Sequence, residues 1–426
     1  MHLSSAIHRL RASRTVRSVP ALVTAVLVTA AVLAGCGAGD GGPIVVVSGQ
    51  QSQNGALLGR QLGASVELRL SNDTDVATSQ KVMLDAASGQ APDVVRVTNA
   101  TYRTLVDRGL AQPTDACLGS RPDLAAQLDP RLVDDLRVDG RLMMIPWYVT
   151  PNALVYNAAL FRAAGLDPDR PPTTFGEAAA AGQAIAALPG RPAGLVSYFG
   201  NDYNFQGYVA SLGGSVLGPD GTRAGIASPV GAAVFDSFRA AAARGISPVY
   251  PNFFTQTNDA FASGGLGMLV TSASSYPALS ARLGADVRMA PAPYPDGGRA
   301  VTVSSTNGFV ILTRDPERQA RACQALLGLV TQPAVTETVA ATATIPLNAV
   351  ARDDPQSLGR VYAAHPDWRE VAAQPRIPWT PLPRGVNAEY QDLYLDAQVQ
   401  ALRGRPGAEV ANELGGRADA LLRGAR

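Results

Sequence analysis

Histidine is scarce in this chain, and its scarcity removes whole classes of chemistry. His2 and His8 lie in the first ten residues and His365 stands alone between Ala364 and Pro366. No paired-histidine metal site and no Ser-His-Asp triad can be assembled except around His365. No nucleophile-elbow or P-loop spacing occurs. Neither an enzyme, a cofactor nor a metal is expected. Charge of one sign is also lacking: 36 basic residues face 35 acidic ones, so no surface for nucleic acid is implied. Lysine occurs once, at Lys81, a codon bias without functional content. Cysteine occurs three times, at Cys36, Cys117 and Cys323.

What is present suits a folded chain. The 426 residues are 46% hydrophobic and 17% charged, which argues against extensive disorder and leaves room for two domains, each with its own core. The N-terminus reads as an address. Arg9, Arg11, Arg14 and Arg17 form a basic flank, Val19 to Val32 an apolar run too short for a permanent span, and Leu33-Ala34-Gly35-Cys36 a cleavage box. The box resembles that of bacterial lipoproteins, which implies that 1–35 is a signal peptide and that Cys36 is diacylated, anchoring the chain to the outer face of the cell membrane. Loss of the four leader arginines turns the charge balance slightly acidic. Gly37 to Gly42 formally matches a dinucleotide fingerprint, but no strand precedes it and a strand follows. Residues 36–42 are read as a flexible tether.

Beyond the tether the pattern alternates strands and helices. Ile44 to Val47, Val66 to Leu70 and Val94 to Val97 read as strands, and 76–88 as a helix ended by Gly89 and Pro92. Thr98, Asn99 and Thr101 follow the C-terminal end of the third strand, where open α/β sheets bind ligands. Asp139-Gly140 suits a turn with positive φ. Leu142 to Ile145 and Leu154 to Tyr156 read as two strands linked by an irregular aromatic stretch, Trp147 to Asn152. Thr174 and Glu177 form a capping box. The chain after Leu347 reads as mainly helical.

Taken in order, Ser88 to Val95 with its Pro92-Asp93-Val94, Trp147 to Asn157, Thr173 to Glu177, Phe261 to Gly265, Thr271 to Ser275, Val303 to Leu312 and Thr344 to Asn348 resemble the extracellular solute-binding proteins of sugar-type ABC importers, relatives of the maltose- and glycerol-3-phosphate-binding proteins. The resemblance spans about Pro43 to Arg426. It implies a two-lobe α/β periplasmic-binding-protein fold of type II kind, each lobe a mixed sheet flanked by helices, joined by a three-crossing hinge. The lobes would be 43–149 with 305–345, and 150–304 with 346–426. The implied partners are a small solute, carbohydrate first, and the transmembrane subunits of an ABC permease; a monomer is expected.

A sugar pocket needs flat aromatic faces and a rim of donors and acceptors. The loops near the implied cleft supply Trp147, Tyr198, Tyr203 and Trp379 as platforms. Thr98, Asn99, Thr150, Asn152, Ser272, Ser274 and Asn307 supply polar groups. Gly308 resembles the family's backbone contact after the second crossing. Arg384 resembles the arginine that the glycerol-phosphate branch turns toward phosphate, so glycerol 3-phosphate or a glycerophosphodiester such as glycerophosphocholine is the alternative ligand. That branch carries an acidic residue where this chain has Thr98-Asn99, and a tyrosine where it has Thr344. Cys117 and Cys323 both map by resemblance to the N-terminal lobe. Export favours a disulfide between them, with two separate buried thiols as the other possibility.

Overall fold

Four β-branched residues in five make Val94-Val95-Arg96-Val97-Thr98 a strand, β3 (Val94–Thr98), buried along its whole length. On one side it pairs in parallel with β1 (Ile44–Ser48), which carries β2 (Val66–Leu70) in parallel beyond it. On the other side it pairs antiparallel with β10 (Thr302–Ile311). The remaining strands are β4 (Arg137–Val138), β5 (Arg141–Leu142), β6 (Ile145–Asn157), β7 (Ala193–Val196), β8 (Leu266–Ser272), β9 (Val287–Pro291) and β11 (Arg376–Pro378). The computed structural model describes residues 41–49, 54–190, 192–197, 201–250 and 253–424. Among these, nine strands form one mixed sheet in the order β2-β1-β3-β10-β6-β8-β7, with β9 also on β6 and β11 also on β10.

Local chemistry accounts for many element ends. The Asp139 and Gly140 φ angles of 50° and 78° make the turn of the β4–β5 hairpin. The Thr174 hydroxyl accepts from the Glu177 N–H while the Glu177 carboxylate accepts from the Thr174 N–H, closing the capping box of the Phe175–Ala186 helix. The Asp75–Ala87 helix starts at Thr74, whose hydroxyl accepts from the Ala77 N–H, and Gly89 at φ 74° leads the chain away from it.

One expectation is corrected. Residues 142–157 do not form two strands with an irregular link; β6 runs unbroken for 13 residues through Trp147 to Asn152. The reason is tertiary. Buried backbone groups need partners, and β10 supplies them from Ser304 to Phe309, after which β8 and β9 take over from Asn152 and Ala153. Pro151, which has no N–H to give, sits where β6 changes partners. The chain after Leu347 is mainly helical, as expected, with one short strand, β11, that pairs in parallel with the start of β10.

Two main hydrophobic cores form along this sheet. The first gathers Val46, Val94, Val97, Leu142, Ile145, Val149, Phe309 and Ile311 among others, and the second Leu154, Tyr156, Phe205, Phe235, Met268, Val303 and Tyr394. β6 and β10 contribute to both. In the first core Cys117, on the Asp115–Gly119 helix, is disulfide-bonded to Cys323, on the Pro316–Gly328 helix, with Cα atoms 5.2 Å apart at a sequence separation of 206. The bond ties the segment after β10 to the segment before β6. The Ile345 N–H donates to the Val149 carbonyl at 2.7 Å, fastening the segment after the Gln332–Thr342 helix to β6.

Candidate functional site

Between its two cores each crossing strand turns polar. On β6 the apolar Val149 and Ala153 flank Thr150, Pro151 and Asn152; on β10 the apolar Val303 and Phe309 flank Ser304, Ser305, Thr306, Asn307 and Gly308. All are buried. Buried polar groups are costly unless they are hydrogen-bonded, and most of this belt bonds within itself.

Three hydroxyls meet on the β8 side. Thr150 Oγ1 lies 2.8 Å from Ser272 Oγ, which lies 2.8 Å from Ser274 Oγ, and the Ser274 N–H donates to Thr150 Oγ1 at 3.2 Å. Asn152, opposite Ser272 in the β6–β8 register, has a side-chain carbonyl with no partner among the described residues. On the β3 side, Arg96 donates to the Asp75 carboxylate at 2.8 Å and also to the Asn307 side-chain carbonyl. Burial works against the Arg96 charge, but Asp75 and Tyr148 outweigh it and hold the guanidinium protonated. Tyr148 faces Asn307 across the β6–β10 pair, and its hydroxyl is 3.5 Å from Asn54 Nδ2.

The two sides are tied by Asn99. Its amide nitrogen donates to the Trp379 carbonyl at 2.5 Å, and its carbonyl oxygen accepts from the Ser305 hydroxyl and the Thr306 N–H, each at 3.2 Å. The Trp379 N–H continues the β11 pairing by donating to the Ser304 carbonyl at 2.8 Å. Its indole lies edge-on to Tyr203, with ring centroids 5.3 Å apart, and the Tyr203 hydroxyl donates to the Thr150 carbonyl at 2.8 Å. Burial pushes the Tyr203 phenol well above its usual range, so it stays a neutral donor. The arrangement can present hydroxyls, amides and two aromatic rings, and it joins two cores through strands that change pairing partners there.

Over residues 60–367 the sequence matches the bacterial extracellular solute-binding proteins. The chain belongs to that family. No curated protein matches it by sequence. Its fold is shared with UgpB from Mycobacterium tuberculosis, solved in complex with glycerophosphocholine, at 20% identity over 90% of this chain and 98% of that one, TM-score 0.77. It is shared too with the GacH receptor of Streptomyces glaucescens GLA.O, solved unliganded and with acarbose, at 16% identity over 89% and 98%, TM-score 0.76. A third is the Thermus thermophilus maltotriose binding protein bound with maltotriose, at 19% identity over 89% and 99%, TM-score 0.73. The family is one of binding proteins rather than enzymes. No helix among the described residues is long and apolar enough to cross a membrane, and no group of three or more His, Cys, Asp or Glu among them could hold a metal ion.

In this solute-binding protein the belt brings together Asn99, Thr150, Asn152, Tyr203, Ser272, Ser274, Asn307 and Trp379. Other residues chosen from sequence go elsewhere. The β6–β10 register pairs Asn307 with Tyr148 and then Gly308 with Pro146, so Trp147 is the extra residue of a β-bulge. Its ring is 1% exposed, packs 5.9 Å from Phe309 in the first core, and donates from Nε1 to Gln61 at 3.1 Å. It is a core residue where a stacking platform was expected. Gly308 serves close packing, since a Cβ there would lie 2.4 Å from the Ile145 carbonyl. Arg384, at φ 66°, donates to the Leu422 carbonyl at 2.9 Å near the end of the Gly407–Gly424 helix. Thr98 closes a local turn with Thr101. Tyr198 and Cys36 lie outside the described residues. Sequence reasoning missed Asp75, Arg96, Ser305 and Asp202. The run Ser304 to Asn307 inside an otherwise apolar strand was the available signal for Ser305; Arg96, alone among valines in β3, was the signal for a buried charge.

Proposed function

We propose that this protein is the solute-capturing component of an ABC importer and that its solute is a neutral carbohydrate. One observation carries the choice: the polar belt offers hydroxyls and amides, while the guanidinium within it, Arg96, is matched by Asp75 at 2.8 Å. Arg384 is committed to a helix-end carbonyl and faces no belt residue through its hydrogen bond. Within the belt a phosphate would need a cation free of a carboxylate partner, and Arg96 is not one. The Asn152 carbonyl is an acceptor ready for a ligand hydroxyl. The structural neighbours that hold acarbose and maltotriose support the sugar reading; the one that holds glycerophosphocholine keeps the phosphodiester as the alternative.

In this reading 43–149 with 305–345 form one lobe and 150–304 with 346–426 the other, and the belt is the floor of the cleft. Because the Asn99 amide bonds to the Trp379 carbonyl across the two lobes, a solute enters by parting them and replacing that bond. The ligand favours the closed form because only there do both lobes contact it, and it leaves chemically unchanged. The protein acts as a monomer, held to the extracytoplasmic face by a lipid on Cys36, and docks on the permease. Calorimetry with maltose, maltotriose and glycerophosphocholine tests the ligand class: binding of the phosphodiester alone overturns the carbohydrate assignment. A Cys36→Ala chain that still partitions with membranes overturns the anchor.

A further inference from the structure

Asp202 plays no part in the capture scheme above, yet its surroundings are unusual for a carboxylate. It is 0% exposed, and the side chains that donate to it are all neutral. Trp379 Nε1 and Gln391 Nε2 reach Oδ1 at 2.7 and 2.9 Å, and Gln206 Nε2 reaches Oδ2 at 2.7 Å. An ionised carboxylate buried without a cation is costly, and the three neutral donors on its two oxygens offset that cost. Burial raises its affinity for a proton, and the donors from Gln206, Trp379 and Gln391 work against that rise.

The donors come from three places: Gln206 from the Tyr203–Ser211 helix that Asp202 precedes, Trp379 from the end of β11, and Gln391 from the Asn387–Leu402 helix. Both glutamines complete the clamp. Gln206 Oε1 accepts from the Thr380 N–H at 3.0 Å and its Nε2 donates to the Thr380 carbonyl at 2.8 Å, while Gln391 Oε1 accepts from the Asp202 N–H at 3.1 Å. The Trp379 indole thus has its N–H on Asp202 and its ring edge-on to Tyr203, while its backbone carbonyl takes the Asn99 amide.

We propose that Asp202 is a positioning residue: its carboxylate clamps the Trp379 indole against Tyr203 and so sets the aromatic wall of the solute site. The effect on affinity rests on the solute-capture reading; the clamp itself can be observed without a solute.

The test uses the full mature chain labelled with nitrogen-15 and carbon-13. Indole N–H resonances of Trp147, Trp368 and Trp379 are recorded and assigned by Trp379→Phe. In Asp202→Asn the Trp379 resonance should move upfield and exchange with solvent roughly tenfold faster, the ratio expected when a charged acceptor becomes neutral, while the Trp147 and Trp368 resonances stay in place. With maltotriose as probe, Asp202→Asn and Trp379→Phe should each weaken binding and the double variant should lose little more than either. Should Asp202→Asn not fold, Trp379→Phe gives the test from the other side, because the Asp202 carboxyl carbon resonance must then shift. An unmoved Trp379 indole in Asp202→Asn, or an unmoved carboxyl in Trp379→Phe, overturns the clamp. Additive losses overturn its role in the site. A wild-type protein that binds no sugar overturns the solute reading, and the resonances still decide the clamp.

Discussion

The Asn99 amide donates to the Trp379 carbonyl at 2.5 Å, fastening the end of β3 to the end of β11. Because the Asn99 carbonyl also takes the Ser305 hydroxyl and the Thr306 N–H, one side chain bridges segments that the proposed hinge would move apart. Asn99→Ala should therefore leave several buried groups unpaired and lower stability by about 1–3 kcal/mol. Ligand-free Asn99→Ala should also scatter as a more extended particle than the wild type, and saturating ligand should compact both. Identical scattering profiles with and without ligand would argue against closure.

Trp147 should behave as a core residue. Trp147→Ala should cost about 3–5 kcal/mol in denaturant unfolding, the range for emptying a large buried aromatic site. Where it remains folded, its solute affinity should fall less than that of Trp379→Ala. Normal stability with abolished binding would restore it to the site.

Gly308→Ala should destabilise the β6–β10 crossing by about 1–3 kcal/mol, since the added carbon would sit 2.4 Å from the Ile145 carbonyl. A thermal melt unchanged from wild type would show that the two strands can separate there without cost.

Asp93 should make stability fall in acid. Burial raises its carboxyl, but the paired Arg318 hydrogen bonds at 2.7 and 2.6 Å and the Val45 N–H at 2.8 Å prevail, and its folded value lies below the usual one. A depressed folded value means stability is fully present above the unfolded carboxylate pKa of about 3.9 and is lost as pH falls through the folded value. Asp93→Asn should be less stable than wild type at neutral pH, and the gap should narrow below about pH 4. A gap independent of pH would remove Asp93 from the acid response.

Cys117 and Cys323 should yield no free thiol in denatured, unreduced mature protein. Reduction should lower stability by roughly 2–4 kcal/mol, because the bond closes a long loop in the unfolded chain. Two titratable thiols would show that the bond does not form on export.

Much of this molecule was legible in its sequence because it depends on neighbours along the chain. The Asp139-Gly140 turn, the Thr174–Glu177 capping box and the β-branched run of β3 are set by local backbone preferences, and the ordered motifs from Ser88 to Asn348 carried the family. The tertiary structure decided what faces what. Trp147 looked like a platform because it lies in an aromatic stretch between polar residues, but its direction follows from a bulge against β10, whose partner residues lie some 160 positions later in the chain. Arg384 looked free for a ligand, and the Leu422 carbonyl that takes its hydrogen bond is brought there only by packing of the last helix. Asp202 gave no signal beside Tyr203, because its three donors converge only after β11 and two helices have docked. A strand's side chains change face with every residue, so pairing register decides which of them reach a site, and register is fixed between segments far apart in sequence.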